Sequence, residues 1–306
     1  MGDTAPYPGL APDLWDLARE MAADPDPVPE HLRPISQLRA AVARMEAALP
    51  PVPDDIQTRD WTMDVAGRAV PLRSYQTADA RAAAMLYIHG GGWSLGSIRG
   101  HDLICADIAR DTGLRVVSID YALAPEHPYP AALTECVAVF QHLRTGASPL
   151  ETVPGLWLGG DSAGGNLALG AALKTKGAAG LFLIYPATDP TCGADSYTTH
   201  ANAPYLSRDM MHRCWRDYLG GQSPDIYTSP NTADLRSLPQ AVILTATLDP
   251  LLGDGEELAA TFLAAGTPVW YETASGLIHG FLRFRAISPA SDAAFRRATA
   301  ALAVRL

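Results

Sequence analysis

The chain has 306 residues, with 23 lysines and arginines against 33 aspartates and glutamates, a formal net charge of −10. That length suits one large domain, and 48% apolar with 18% charged residues excludes disorder, because such a chain can bury a substantial core. The acidic balance, without any basic run, makes nucleic acid and anionic membrane surfaces poor candidates as partners. The longest apolar runs, Ala82–Ile88 and Leu181–Tyr185, are too short to cross a bilayer, so no membrane insertion is expected. The start, Met1–Pro6, has no basic segment followed by an apolar stretch, so no secretory signal is expected either. The four cysteines (Cys105, Cys136, Cys192, Cys214) are widely spaced, which suits a reducing cytoplasm rather than a zinc or disulfide framework.

In chain order, residues 1–50 predict two amphipathic helices, Leu14–Ala22 and Ser36–Leu49, separated by the proline-rich Asp24–Pro34. Arg59–Val65 and Ala69–Tyr75 flank Ala66-Gly67-Arg68 and predict a hairpin at one sheet edge. From there the chain alternates. Apolar runs at Ala84–Ile88, Val116–Asp120, Leu156–Leu158, Leu181–Tyr185, Ala241–Ala246 and Val269–Glu272 predict strands covered on both faces. Helical spacing marks His101–Asp111, Ala131–Arg144, Gly165–Lys174, Gly255–Ala265 and Ser291–Val304. The pattern implies an α/β fold with a mostly parallel sheet and helices on both faces. Residues 187–233 break the alternation and carry one helix, Arg208–Leu219. We expect residues 51–186 and 234–306 to form the core, and 1–50 and 187–233 to form a helical cap where ligands bind.

Three fragments carry chemistry. Gly160-Asp161-Ser162-Ala163-Gly164-Gly165 follows one strand and opens a helix. Gly-x-Ser-x-Gly at such a turn pushes the serine out, and only very small residues fit two places either side. The bland reading is a glycine-rich turn with a capping serine. His89-Gly90-Gly91-Gly92-Trp93 follows another strand, and its glycines leave N–H groups free to bind a developing oxyanion. The N–H of Ala163, directly after the serine, would be a further donor. His89 reads as a structural residue that orients the loop. The rival reading is a dinucleotide fold, with Gly90-x-Gly92-x-x-x-Gly96 on a pyrophosphate and Asp120 on a ribose. Against it, Trp93 and His89 would crowd the phosphate, and Ser162 and His279 would go unexplained. Of the eight histidines, His279, in Gly276–Phe281 after the last strand, is best placed as general base. His31, His101, His142, His200 and His212 read as surface or packing residues, and His127 as part of a turn. Asp249 follows strand Ala241–Ala246 within three residues and would orient the base. Asp254, before a helical pattern, reads as a helix cap.

The order Ser162, Asp249, His279 is the one α/β-hydrolases use. With Tyr121–Pro130, Ile184-Tyr185-Pro186, Asp249-Pro250-Leu251 and Ile278–Phe281, the sequence resembles the hormone-sensitive-lipase-like carboxylesterases of the α/β-hydrolase superfamily. The matching stretches span about two thirds of the chain. The resemblance implies Ser162 as nucleophile, Asp249 and His279 as its partners, and Gly91, Gly92 and Ala163 as oxyanion donors. It also implies hydrolysis of short-to-medium acyl esters without a metal or organic cofactor, and an N-terminal cap. Two departures stand out: Ala122 replaces an arginine, and Leu252-Gly253 replaces a charged pair, which removes salt-bridge partners near the site. A binding protein on the same fold, or a hydrolase of lactones, amides or carbamates, is the alternative. The partner is a small ester, and the sequence leaves a homodimer open. Substrate contacts are expected from Trp93, Tyr205, Leu206, Met211, Trp215 and Ile278, with Leu14 and Trp15 from the N-terminal arm.

Overall fold

The computed structural model describes residues 4–24, 26–146, 153 and 155–306, so the first three residues of the expected signal-free start lie outside it. Helices α1 (Trp15–Ala22) and α2 (Ile35–Ala47) lead into strands β1 (Gln57–Val65) and β2 (Arg68–Gln76). Ala66 and Gly67 join the two strands with both φ angles positive, a two-residue turn whose twist matches that of the hairpin.

Next come β3 (Ala84–Ile88), α3 (Ile98–Thr112), β4 (Arg115–Ile119), α4 (Ala131–Thr145), β5 (Leu156–Asp161), α5 (Ala163–Thr175) and β6 (Leu181–Ile184). Residues 187–233 hold a short turn of helix, α6 (Ser196–Thr199), and α7 (Arg208–Leu219). The chain closes with β7 (Ala241–Leu248), α8 (Leu252–Ala264), β8 (Val269–Ile278) and α9 (Pro289–Ala303). Serines cap some of the helices: Ser97 accepts from the Gly100 N–H of α3 and Ser207 from the Met210 N–H of α7.

The eight strands form one sheet in the order β1-β2-β4-β3-β5-β6-β7-β8. β1 and β2 are antiparallel, and β3 to β8 run parallel. Because side chains alternate along a strand, each central strand feeds two cores. Met85 and Tyr87 of β3 join Ile104, Ile108, Phe295 and Leu302 of α3 and α9 on one face. Leu86 and Ile88 join Phe140, Leu167 and Phe262 of α4, α5 and α8 on the other. Each such large apolar side chain contributes roughly 1.5–3 kcal/mol over an exposed one. The near-continuous apolar runs are therefore explained by two covered faces.

Two strands run past their expected ends. β7 reaches Leu248 and β8 reaches Ile278, through Thr273-Ala274-Ser275-Gly276, which resembles a loop by composition. Pairing overrides that composition: Thr245 faces Thr273 and Ala246 faces Ala274, and after a register shift Leu248 faces Ile278. At the shift Gly276 donates to Thr247 Oγ1 at 2.8 Å and accepts from Ala11 N at 2.9 Å. Among the described residues no helix is long and apolar enough to cross a membrane.

Candidate active site

Ser162 stands alone between β5 and α5 with φ 54° and ψ −121°, a strained conformation for a residue with a Cβ. The neighbouring glycines are obligatory. A Cβ on Gly164 would overlap the Ile88 carbonyl oxygen, and one on Gly160 would overlap the backbone of Gly164. The Ser162 N–H donates to Ile184 O at 2.9 Å, which ties the turn to β6. Its Oγ lies 3.0 Å from His279 Nε2, and His279 Nδ1 lies 2.7 Å from Asp249 Oδ2. All three residues are buried, at 7%, 4% and 0% exposure. A carboxylate at Nδ1 holds the proton there and leaves the Nε2 lone pair facing the serine. The other Asp249 oxygen accepts from Leu251 N at 2.8 Å, so the carboxylate is fixed at both ends. Asp249 follows β7 directly, and His279 follows β8 directly rather than lying out on a loop.

The loop after β3 comes alongside because β3 and β5 are neighbours, with Ile88 opposite Gly160. Among the described residues the N–H groups of Gly91, Gly92 and Ala163 have no acceptor. Gly91 has φ 129° and Gly92 φ 58°; a Cβ on Gly92 would collide with the Cys214 sulfur. His89 Nδ1 lies 2.9 Å from Gly90 O, and its ring stacks on Tyr121 at 4.3 Å, a structural place for this histidine.

A residue that the motif reading passed over ties loop to elbow. Asp161 accepts from Gly90 N at 3.0 Å and from the Tyr87 hydroxyl at 2.9 Å, and lies 3.3 Å from His101 Nε2. Burial pushes its acidity the other way, but His101, the Arg283 guanidinium and the Tyr87 bond hold its carboxyl below the usual carboxylate range. The only signal in the sequence was an acid directly before the serine.

A cavity of about 1410 Å³ opens over Ser162 and His279. Its walls include Gly91 and Gly92, Leu17, Met21 and Met45 from the N-terminal arm, and Tyr205, Leu206, Met210 and Met211 from residues 187–233. Tyr205, Leu206 and Met211 are thus among the wall residues. Trp93, Trp215, Ile278, Leu14 and Trp15 do not line it. Trp93 is instead stacked on Tyr218 at 4.4 Å and packed on Trp215 at 4.2 Å, all three buried. Ile278 is a buried sheet residue opposite Leu248, Leu14 is core, and the Trp15 indole bonds Leu10 O at 2.9 Å.

A family described as having the alpha/beta hydrolase fold matches residues 85–283. Carboxylesterase NlhH of Mycobacterium tuberculosis is 36% identical over 247 residues, covering 76% of this chain and 77% of its own. The chain belongs to the hormone-sensitive-lipase-like family of α/β-hydrolases. Carboxylic ester hydrolase LipN of the same organism is 33% identical, covering 88% of this chain and 76% of its own. A solved esterase of the bacterial hormone-sensitive lipase family superposes with a TM-score of 0.83 at 31% identity, covering 96% and 98% of the two chains. An ester hydrolase from the metagenome of Lake Arreo, solved with a bipyridine phosphonate derivative, superposes at 0.89 and 32% identity, with the same coverage.

The two departures from the family pattern differ in their surroundings. Where Ala122 replaces arginine, Arg68 of β2 approaches: it lies 3.2 Å from Glu135 and donates to Asp120 O at 2.9 Å. Glu135 also accepts from Ala122 N at 2.7 Å. At the second departure, Gly253 donates to Ser196 Oγ at 3.1 Å, and a Cβ there would strike Ala194. Asp254 is not the helix cap expected of it. It lies in the first turn of α8, at the helix start as expected, but bonds no α8 amide among the described residues: one oxygen accepts from Thr188 N at 2.7 Å and Asp189 N at 3.1 Å, pinning the chain after β6 to α8.

Proposed function

We propose that this member of the family is a serine carboxylesterase acting through an acyl-enzyme. Ser162 Oγ attacks the ester carbonyl carbon while His279 Nε2 takes its proton. Asp249 holds the imidazole in the required tautomer and stabilises the imidazolium. The free N–H groups of Gly91, Gly92 and Ala163 receive the oxyanion of the tetrahedral intermediate. His279 then returns the proton to the leaving alkoxide, and water hydrolyses the acyl-Ser162 by the same route in reverse. The observation that carries this reading is the unbroken line from Asp249 Oδ2 through His279 to Ser162 Oγ, 2.7 Å and 3.0 Å long.

Residues 1–50 and 187–233 act as the cap, since both contribute walls to the cavity over Ser162. We take short-to-medium acyl esters as substrates, in a space that also admits a larger alcohol. The four cysteines are free buried thiols, which supports a cytoplasmic setting.

A fluorophosphonate should label the wild type at Ser162 and leave Ser162→Ala unlabelled, and that variant should lose 4-nitrophenyl acetate turnover by several orders of magnitude. More than a few per cent residual turnover in a folded variant would remove Ser162 from the role.

A further inference from the structure

The cavity that reaches Ser162 also contains a guanidinium that the ester mechanism does not use. Arg283 lies four residues beyond His279, in the short helical turn Phe281–Phe284, and forms part of the cavity wall. Two other arginines in that wall are neutralised: Arg33 lies 2.6 Å from Asp24, and Arg285 pairs with Asp107 and Asp292. Among the described residues Arg283 forms no ion pair. It lies 3.4 Å from His101 Nε2, with Tyr205 close enough to feel its charge. A guanidinium carries five N–H donors, so most of them are left over.

Two carboxylates whose field reaches Arg283, Asp161 and Glu46, line the same cavity, and neither forms an ion pair with it among the described residues. Asp161 accepts from Tyr87 and Gly90, and Glu46 accepts from the Ser97 hydroxyl at 2.8 Å. The second Glu46 oxygen, Oε1, rests where a side chain on Gly100 would stand and has no hydrogen-bond partner among the described residues. A second donor stands without a partner. Tyr185, 1% exposed, has a buried hydroxyl with no hydrogen-bond partner, lines the same cavity, and has its ring 4.5 Å from that of His279. Tyr205 completes the corner, its ring 6.4 Å from His279 and packed over Gly280, where any Cβ would strike it. A half-buried cation and an unsatisfied buried hydroxyl are each costly unless something accepts from them. A carboxylate suits both, since a guanidinium fork matches it in bidentate fashion and its remaining lone pairs accept from a phenol.

We propose that Arg283, Tyr185 and Tyr205 form a carboxylate-binding subsite beside His279, and that the substrate is therefore an ester bearing an ionised carboxylate on its acyl or its alcohol portion. This rests on the esterase reading above and specifies its substrate class. The subsite anchors the anionic end while the ester carbonyl lies at Ser162. It acts on binding, so the selectivity appears mainly in KM.

The test compares kcat/KM within two substrate pairs. For the alcohol side, 4-acetoxybenzoate is set against its methyl ester; for the acyl side, mono-4-nitrophenyl adipate against 4-nitrophenyl hexanoate. The wild type should prefer the anionic member of at least one pair, and the pair that shows it identifies which portion carries the charge. In Arg283→Met that anionic-to-neutral ratio should fall at least tenfold, chiefly through KM, and Arg283→Lys should keep part of it. Tyr185→Phe, which retains ring and guanidinium, should lower the same ratio severalfold, and it decides the matter if Arg283→Met does not fold. A wild type that prefers the neutral member of both pairs, or a ratio unchanged in the folded variants, overturns the subsite. Loss of turnover on every ester together with no fluorophosphonate label on Ser162 overturns the esterase reading instead, and the substrate assignment with it.

Discussion

Asp249 and His279 meet because of strand register. Leu248 and Ile278 are partners across β7 and β8, and the next residue on each strand supplies one half of the 2.7 Å carboxylate–imidazole bond. The register shift just before that pair sets which residues emerge side by side at the sheet's carboxyl edge.

Asp249→Asn should therefore keep the fold and lose the chemistry. The amide oxygen can still accept from Leu251 N, so the loop retains its anchor. Its NH₂ group would favour the histidine tautomer with the proton on Nε2, the wrong one for a base. Turnover should drop about 10⁴-fold, with a melting temperature near that of the wild type. A variant with a tenth or more of normal turnover would show that Asp249 does not orient the base.

Gly164→Ala tests the elbow. Its added methyl would overlap the Ile88 carbonyl oxygen, a backbone atom in the middle of the sheet that has no freedom to retreat. The expected outcome is a poorly folded protein, or a folded one that a fluorophosphonate no longer labels. A soluble variant with wild-type melting and normal labelling would mean that the turn is looser than its geometry implies.

Much of this architecture was legible in the residues, for physical reasons. β3 is apolar throughout because both its faces are covered, so its bounds were readable to the residue. The glycine-bounded elbow was readable because Gly160 and Gly164 answer to local sterics. The far ends of β7 and β8 were not, since Thr273–Gly276 are strand only by pairing with Thr245 and Ala246. The capping bond expected of Asp254 goes elsewhere for a related reason. Its sequence neighbours suggest a helix start, while the amides that it serves lie 66 residues away at Thr188 and 65 away at Asp189. Trp93 and Trp215 look like cavity aromatics in sequence, yet mutual stacking withdraws them into the core.

That difference predicts two kinds of cap variant. Leu206 lines the cavity, so Leu206→Ala should widen it and raise the kcat/KM ratio of 4-nitrophenyl octanoate to acetate severalfold, with little change in melting. Trp215 is packed against Trp93, and Trp215→Ala should cost about 3–5 kcal/mol of stability with no comparable shift in chain-length ratio. If Trp215→Ala shifted the ratio and Leu206→Ala left it alone, the cavity wall would be drawn in the wrong place.

Asp254 gives a prediction about pH. Its carboxyl is 1% exposed, and burial pushes its pKa from 3.8 up to about 8, against the two amide bonds that favour the charged form. The folded protein therefore holds this proton more tightly than the unfolded chain. The stability that Asp254 contributes is fully present below pH 3.8 and is lost progressively as pH rises towards 8. Asp254→Asn mimics the neutral acid: its amide oxygen keeps the Thr188 and Asp189 N–H groups satisfied, and it cannot ionise. Measured by urea unfolding at several pH values, wild type minus Asp254→Asn should become steadily less favourable to the wild type between pH 5 and 8, by up to roughly 1.4 kcal/mol per pH unit. Asp254→Ala, which strands both amides, should instead cost about 1–3 kcal/mol for each buried donor left unpaired. A difference between wild type and Asp254→Asn that stays flat across that range would mean that the buried carboxyl ionises in the folded protein as readily as in the unfolded chain.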